Sequence, residues 1–399
     1  MTLGPCLRHQ GLGRSGSRQL LDGFDGLVSV TGPVSFSIGY VRQMTATWTL
    51  AVARADLART TLVDGTVPEL APGEALLRVD RVGLTANNVT YAVLGEAFHY
   101  WDFFPAQPRG LAADWGLVPL WGFADIVEST VDGVDVGGRV YGYLPPAGHL
   151  VVRPGRVDAG GFRDATEHRA LLPSPYNVYA LTTGDSAYEA QREDLLILYR
   201  PLFFTSFMLA DQVADNDFFG AEVLVLSSAS SKTAYGTAFL LHGQGPRVIG
   251  LTSAGNAAFT RSLGCYDEVL SYDTVSELDP DRLTAFLDLA GNERIRTAVH
   301  ERLGDYLVYE VAVGITHQDA RLMGGASVFF APDQMRKRAL DWGREGLNDR
   351  FGAAWRQFAS TVEAWVDVVV SHGPEALREA WLKVLTGRAS PRTGHVVAL

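Results

Sequence analysis

Cysteine is nearly absent from this 399-residue chain. Only Cys6 and Cys265 occur, which leaves neither a disulfide framework nor a cysteine-based zinc site. A reducing cytoplasm is the expected compartment. No apolar run reaches about 18 residues, so no membrane-spanning helix is expected. Clusters of Lys and Arg are also missing, and the net charge of −11 argues against a nucleic-acid surface. What is present is a globular composition, 47% apolar and 20% charged, on a chain long enough for two domains. The first 43 residues differ: they are rich in Gly, Ser and Arg, and their apolar residues lack a period. They read as a disordered leader, or as read-through to a true start at Met44. The Arg and Ser content fits a transit peptide only weakly, and the absence of an apolar core makes a poor secretory signal.

The stretch from Glu222 to Tyr272 carries the strongest pattern. Val223-Leu224-Val225-Leu226 is a short apolar run suited to a buried parallel strand. It breaks into the polar turn Ser227-Ser228-Ala229-Ser230-Ser231-Lys232-Thr233, and a helical pattern follows through Leu241. Gly243-Gln244-Gly245-Pro246 ends that helix, and Val248-Ile249-Gly250-Leu251 supplies the next strand. The spacing is that of a right-handed βαβ crossover. Further strands are predicted at 286–291 and 307–313, with a helix at 293–303 between them. Upstream, short strands at 47–52, 76–82, 123–128 and 139–143 with glycine turns indicate a mostly β unit. Residues 156–200 read as an irregular polar insertion, and a helix is predicted over 202–213. Helices are also predicted at 333–342, 343–362 and 375–385, with a last strand at 396–399.

The order of these pieces resembles the zinc-free quinone-oxidoreductase and enoyl-reductase branch of the medium-chain dehydrogenase/reductase superfamily. The resemblance rests on Pro72-Gly73-Glu74, Gly83 to Asn88, Val136-Gly137-Gly138-Arg139-Val140, Val223-Leu224-Val225, Leu263 to Leu270 and Gly394 to Leu399. The run Ser227 to Ala234 and Tyr176-Asn177-Val178-Tyr179 point to an uncharacterised subgroup. It implies an α/β fold: a Rossmann-like doubly wound parallel sheet plus a mostly β GroES-like domain. The implied division is a leader to residue 43, a GroES-like domain over 44–200 completed by 366–399, and a nucleotide domain over 201–365. It also implies NADP as cofactor, a small-molecule substrate and a homodimer paired through an edge strand, with 307–313 as the candidate edge.

The departures from that family matter more. Its first βα turn carries glycines so that backbone approaches the pyrophosphate; here the three places hold Ser228, Ser230 and Thr233. Hydroxyls of Ser228, Ser230, Ser231 and Thr233, with the Lys232 ammonium, would grip phosphate at the helix N-terminus. The competing reading is a simple helix cap with a solvated lysine. After the second strand, Thr252, Ser253 and Asn256 stand where an NAD-preferring fold places Asp or Glu, which favours NADP. Thr85, Trp121 and Gly122 occupy the zinc-ligand places of the metal-dependent branch, so no metal is expected. Gly314 and Thr316 at a strand end complete the cofactor set, and His317, Tyr91 and Asn88 are the catalytic candidates. Trp101, Phe103 and Phe104 would line an apolar pocket. Two functions stay open: an NADPH-dependent reductase of an activated double bond or carbonyl, or a dehydrogenase fold that has lost its dinucleotide. The second would act as a lyase, hydratase or binding protein.

Overall fold

The computed structural model describes residues 45–313, 327–387 and 390–399. The leader and the candidates Gly314, Thr316 and His317 lie outside the described residues. Two sheet systems are built in chain order. Ala46–Ala53 pairs with Asp56–Thr66 and Trp115–Gly116 in a three-stranded antiparallel sheet. A nine-stranded sheet runs Asp367–His372, Thr393–Ala398, Ala75–Leu84, Leu120–Ser129, Arg139–Leu144, Val178–Leu181, Gly161–Asp164, Pro154–Asp158, with His149–Val152 also on Ala75–Leu84. Its pairs are antiparallel except Asp367–His372 with Thr393–Ala398. Helix α1 (Ala86–Val93) follows Ala75–Leu84 and is opened by a capping box between Thr85 and Asn88.

Helix α2 (Glu193–Asp215) packs on the nine-stranded sheet, against Ala75–Leu84, Leu120–Ser129 and Thr393–Ala398. Gly83 and Gly394 let it lie directly on the sheet, since a Cβ at either would stand 2.4 Å from Ile197 or Leu198. Its acidic first turn suits the positive helix N-terminus and is gripped by arginines of the sheet. Arg139 makes a two-bond fork to Glu193, at 2.7 Å each, and Arg81 meets Asp194 at 2.6 Å.

The remaining strands form a six-stranded parallel sheet in the order Glu268–Ser271, Arg247–Thr252, Val223–Leu226, Thr284–Asp288, Leu307–Val313, Ser327–Phe329. Numbered by sequence this is 3-2-1-4-5-6, the doubly wound Rossmann order, with its switch point beside Val223–Leu226. All four residues of that strand are buried, as a strand covered on both faces requires. Helix α3 (Lys232–Leu241) leaves its end.

Three expectations are corrected. Leu307–Val313 is not the sheet edge, because Ser327–Phe329 pairs outside it. Residues 156–200 are not irregular: three strands extend the antiparallel sheet there. The sequence looked polar because this core is partly ionic, with Arg169 and Asp164 paired at 2.9 Å and both side chains 1% exposed. α2 begins nine residues before Leu202 (193 against 202), since Pro201 reads locally as a boundary while the buried run Leu195–Tyr199 holds the helix together through it. The helices expected at 333–342 and 343–362 do meet at a break: the helical run Ala331–Val362 is interrupted at Gly343, whose φ of 72° only glycine adopts readily.

Candidate functional site

The polar turn sits at the carboxyl end of the central parallel strand, where doubly wound sheets bind ligands. Ser227 is buried and links two strand ends. Its hydroxyl donates to Asp288 Oδ1 at 2.6 Å and accepts from Leu289 and Ala290 N–H at 2.8 Å each. Asp288 also accepts from the amides of Ala290 and Gly291. Replacing Ser227 with Ala leaves these groups short of partners and is expected to destabilise the fold by about 2–3 kcal/mol, read from urea unfolding.

Ser228 adopts a left-handed backbone, φ 52°, and its N–H donates to the Tyr272 hydroxyl at 3.1 Å. The Ser230 hydroxyl accepts from Thr252 Oγ1 at 3.2 Å and Asn256 Nδ2 at 3.1 Å. Ser231 is the helix cap, its side chain accepting from Ala234 N–H. The structure therefore brings Ser230, Thr252 and Asn256 together, while Ser253 is exposed beside them. The amides of Ser230, Lys232 and Thr233 have no protein acceptor among the described residues.

Lys232 is not a solvated lysine. Its ammonium lies 5.5 Å over the Tyr199 ring and 3.5 Å from the Pro391 carbonyl. Burial lowers its pKa to about 8, and among the described residues no carboxylate pairs with it. Although part of the side chain keeps some exposure, the enclosed ammonium decides the titration. Tyr199 bonds the Tyr235 hydroxyl at 2.7 Å. His395, on the closing strand, is held below its usual range first by burial and then by Lys383 and Lys232.

A second group of side chains surrounds Tyr91. Its hydroxyl accepts from Asn87 Nδ2 at 2.7 Å and Trp121 Nε1 at 3.1 Å. Burial, then the nearby Tyr100, pushes its ionisation well above the ordinary phenol range. Asn88 sits one residue from Asn87 but turns away: its amide accepts from Thr85 N–H at 2.8 Å and donates to Pro119 O at 3.0 Å. Asn88 thus fixes the start of α1. Trp101 is buried under Gly95 and Gly116, and Phe104 is core, so neither lines a cleft. Phe103 packs edge-on against Tyr143 and Tyr176.

Tyr100, Tyr141, Tyr143, Tyr176 and Trp121 join Tyr91 in one aromatic cluster. The sequence reading missed these residues as a site. The available signal was Tyr141 and Tyr143, two apart on a strand and therefore on one face. Consecutive residues of α2 touch both groups: Tyr199 lies under Lys232, and Arg200 lies 4.8 Å over the Tyr141 ring. Among the described residues no cluster of His, Cys, Asp and Glu could hold a metal ion, and no helix is long and apolar enough to cross a membrane.

Residues 82–390 match a family described as a protein of unknown function, DUF2855. The chain belongs to that family. No curated protein matches it significantly. Solved structures do match in fold. CurA from Vibrio vulnificus in complex with NADPH is 13% identical, with a TM-score of 0.57 over 88% of this chain and 98% of that one. A mutant enoyl thioester reductase from Candida tropicalis is 10% identical, with a TM-score of 0.51 over 89% of this chain and 100% of that one. The quinone oxidoreductase from Coxiella burnetii is 15% identical, with a TM-score of 0.51 over 89% and 100%. The chain therefore shares its fold with these solved structures.

Proposed function

We propose that the chain is an NADPH-dependent reductase of an activated double bond or carbonyl. The observation that carries this is Lys232, an enclosed ammonium without a carboxylate at the opening of the first Rossmann helix. With the free amides of Ser230, Lys232 and Thr233 it makes a donor set suited to a diphosphate. Thr252, Ser253 and Asn256 supply hydroxyl and amide groups at the second strand end and no carboxylate that would repel a 2′-phosphate. CurA, of the same fold, was solved with NADPH, which supports the assignment.

When bound, the nicotinamide supplies the hydride. The chain's own part is to bind, orient and hold a proton. Asn87 and Trp121 aim the Tyr91 hydroxyl. Because burial keeps that phenol protonated at any working pH, Tyr91 donates a hydrogen bond to a carbonyl oxygen and holds the proton that completes reduction. Asn88 is a positioning residue, fixing the helix that carries Asn87 and Tyr91. The buried aromatic walls exclude water. By the same reading the protein works in the cytoplasm on a small molecule, and Ser327–Phe329, an outer strand of the parallel sheet among the described residues, is an edge for a homodimer.

A second reading is favoured by one observation: the Ser228 amide is held by Tyr272 and the Ser230 hydroxyl by Thr252 and Asn256, which closes part of the turn. A fold that had given up its dinucleotide for lyase, hydratase or binding work would do this. Calorimetric titration separates the two. The expected result is micromolar NADPH affinity with NADH at least about tenfold weaker, as loss of a phosphate contact worth roughly 1.4 kcal/mol implies. Absence of binding by either at millimolar concentration overturns the reductase reading.

A further inference from the structure

Three arginines from three segments of the chain come together without an acidic partner. Arg156 belongs to Pro154–Asp158, Arg163 to the adjoining strand Gly161–Asp164, and Arg344 to the helical run Ala331–Val362. Backbone irregularities deliver two of them. The strands pair at Gly155 and Arg163 and then slip, so that Arg156 and Val157 together face the single residue Phe162. A bulge of this kind usually places glycine first, in the left-handed region, and it re-aims the side chain it carries. Here Arg156 holds that place, with a φ of 51°. Arg344 directly follows Gly343, where the helical run is broken.

Arg156 and Arg344 stand near enough to act on the Arg163 guanidinium. Burial first, and then these two charges, hold its pKa below the usual guanidinium range, and no carboxylate opposes them. Arg163 itself donates to the carbonyl and the hydroxyl of Ser174, both uncharged. Among the described residues no carboxylate pairs with any of the three. The acids of the same two strands are committed elsewhere: Asp158 accepts from the Gly160 N–H at 2.8 Å, and Asp164 is paired with Arg169. The chain has 45 Asp and Glu against 34 Lys and Arg, so uncompensated cations at one place are not a product of composition. Like charges held together, one of them on a left-handed non-glycine backbone, are destabilising unless something neutralises them.

We propose that Arg156, Arg163 and Arg344 form a binding site for the phosphate group of a small phosphorylated molecule. A guanidinium is a planar fork that matches two phosphate oxygens. A phosphate monoester carries a charge of about −2 near neutral pH, enough to engage more than one such fork, which a single carboxylate does not. The site needs no opening into the core, because Arg156 and Arg344 are exposed and Arg163 is half-buried. A nucleic acid is excluded by the net charge of −11, which repels a long polyanion, whereas a small anion meets the three arginines at short range. Bound there, the phosphate ties the two added strands of the antiparallel sheet to the helical run.

The test is calorimetry with pyrophosphate in about 0.15 M salt on wild type, Lys232→Met, Arg156→Gln and Arg344→Gln. Lys232→Met separates this site from the polar turn at Ser227 to Thr233. Wild type and Lys232→Met are both expected to bind, and pyrophosphate is expected to raise the thermal midpoint of each. Arg156→Gln and Arg344→Gln are each expected to weaken that binding about tenfold, the loss of one charge-assisted contact. Arg156→Gly guards against misfolding. It removes the charge and suits the left-handed backbone, so its ligand-free midpoint is expected to rise by about 1–2 °C while pyrophosphate affinity falls. Three results overturn the inference: no binding by wild type, binding lost in Lys232→Met but unchanged in the arginine variants, or a lowered midpoint in Arg156→Gly. The last would assign Arg156 to the fold instead of a ligand.

Discussion

Lys232→Met is expected to make the cofactor-free protein more stable at pH 7, by about 2 kcal/mol, while weakening NADPH binding at least about tenfold. The first effect follows from desolvation. Burial beneath Pro391 and over Tyr199 lowers the ammonium pKa to about 8, against roughly 10.4 in an unfolded chain. Between those values the unfolded state binds more protons, so wild-type stability should rise with pH through that window. Below pH 8 the whole penalty is present. Methionine keeps the length of the side chain and removes the charge. Urea unfolding at pH 7 and pH 10 should show the variant's advantage shrinking at the higher pH. A variant less stable than wild type at pH 7, or an advantage independent of pH, sinks this account. The charged lysine is also the form that pairs with phosphate, so NADPH affinity should be greatest below pH 8 and fall as the lysine neutralises. Tyr199, Tyr235 and His395 are its titratable neighbours, and the tyrosines stay protonated across this range.

Arg169→Met is expected to cost about 3–5 kcal/mol. Asp164 would be left as a buried carboxylate whose other donors are Arg153 N–H, Thr166 N–H and the Thr166 hydroxyl. Arg169 also lies over Phe103, Phe104 and Tyr179 at 5.1–5.7 Å. Its bond to the Tyr176 carbonyl anchors the loop that covers the tyrosine cluster. Lysine is no substitute, because one ammonium cannot reproduce a planar fork bonded on several sides. Replacing Asp164 by Leu in the Arg169→Met background should recover part of the loss, since the lone charge is then gone. Chemical denaturation of wild type and the two variants measures this, and a double variant weaker than the single one counts against it.

The parallel half was legible because its strands are buried on both faces and appear as unbroken apolar runs, as at Val223–Leu226. Helix 293–303 was legible to the residue, with Asn292 as its cap. Around residues 154–181 local patterning failed. A sheet whose interior is an arginine, an aspartate and an asparagine gives no hydrophobic period to detect. The phosphate turn was visible as a composition, but the direction of Lys232 was not: a charged residue at a helix start normally points to water, and here α2 and the segment at Pro391 enclose it. The tyrosine cluster is assembled from four separate stretches of chain, and no spacing rule joins them.

The strand Thr393–Ala398 has a consequence for biosynthesis. It lies between Asp367–His372 and Ala75–Leu84, and Leu399 N–H reaches the Asp80 carbonyl at 2.7 Å. A ribosome emits Ala75–Leu84 early and its neighbour only after the entire nucleotide-type sheet has emerged. During that interval one hydrogen-bonding edge of the nascent sheet stays open. The amino-terminal half should therefore be a substrate for chaperones during translation, and chains cut before Thr393 should aggregate where whole ones do not.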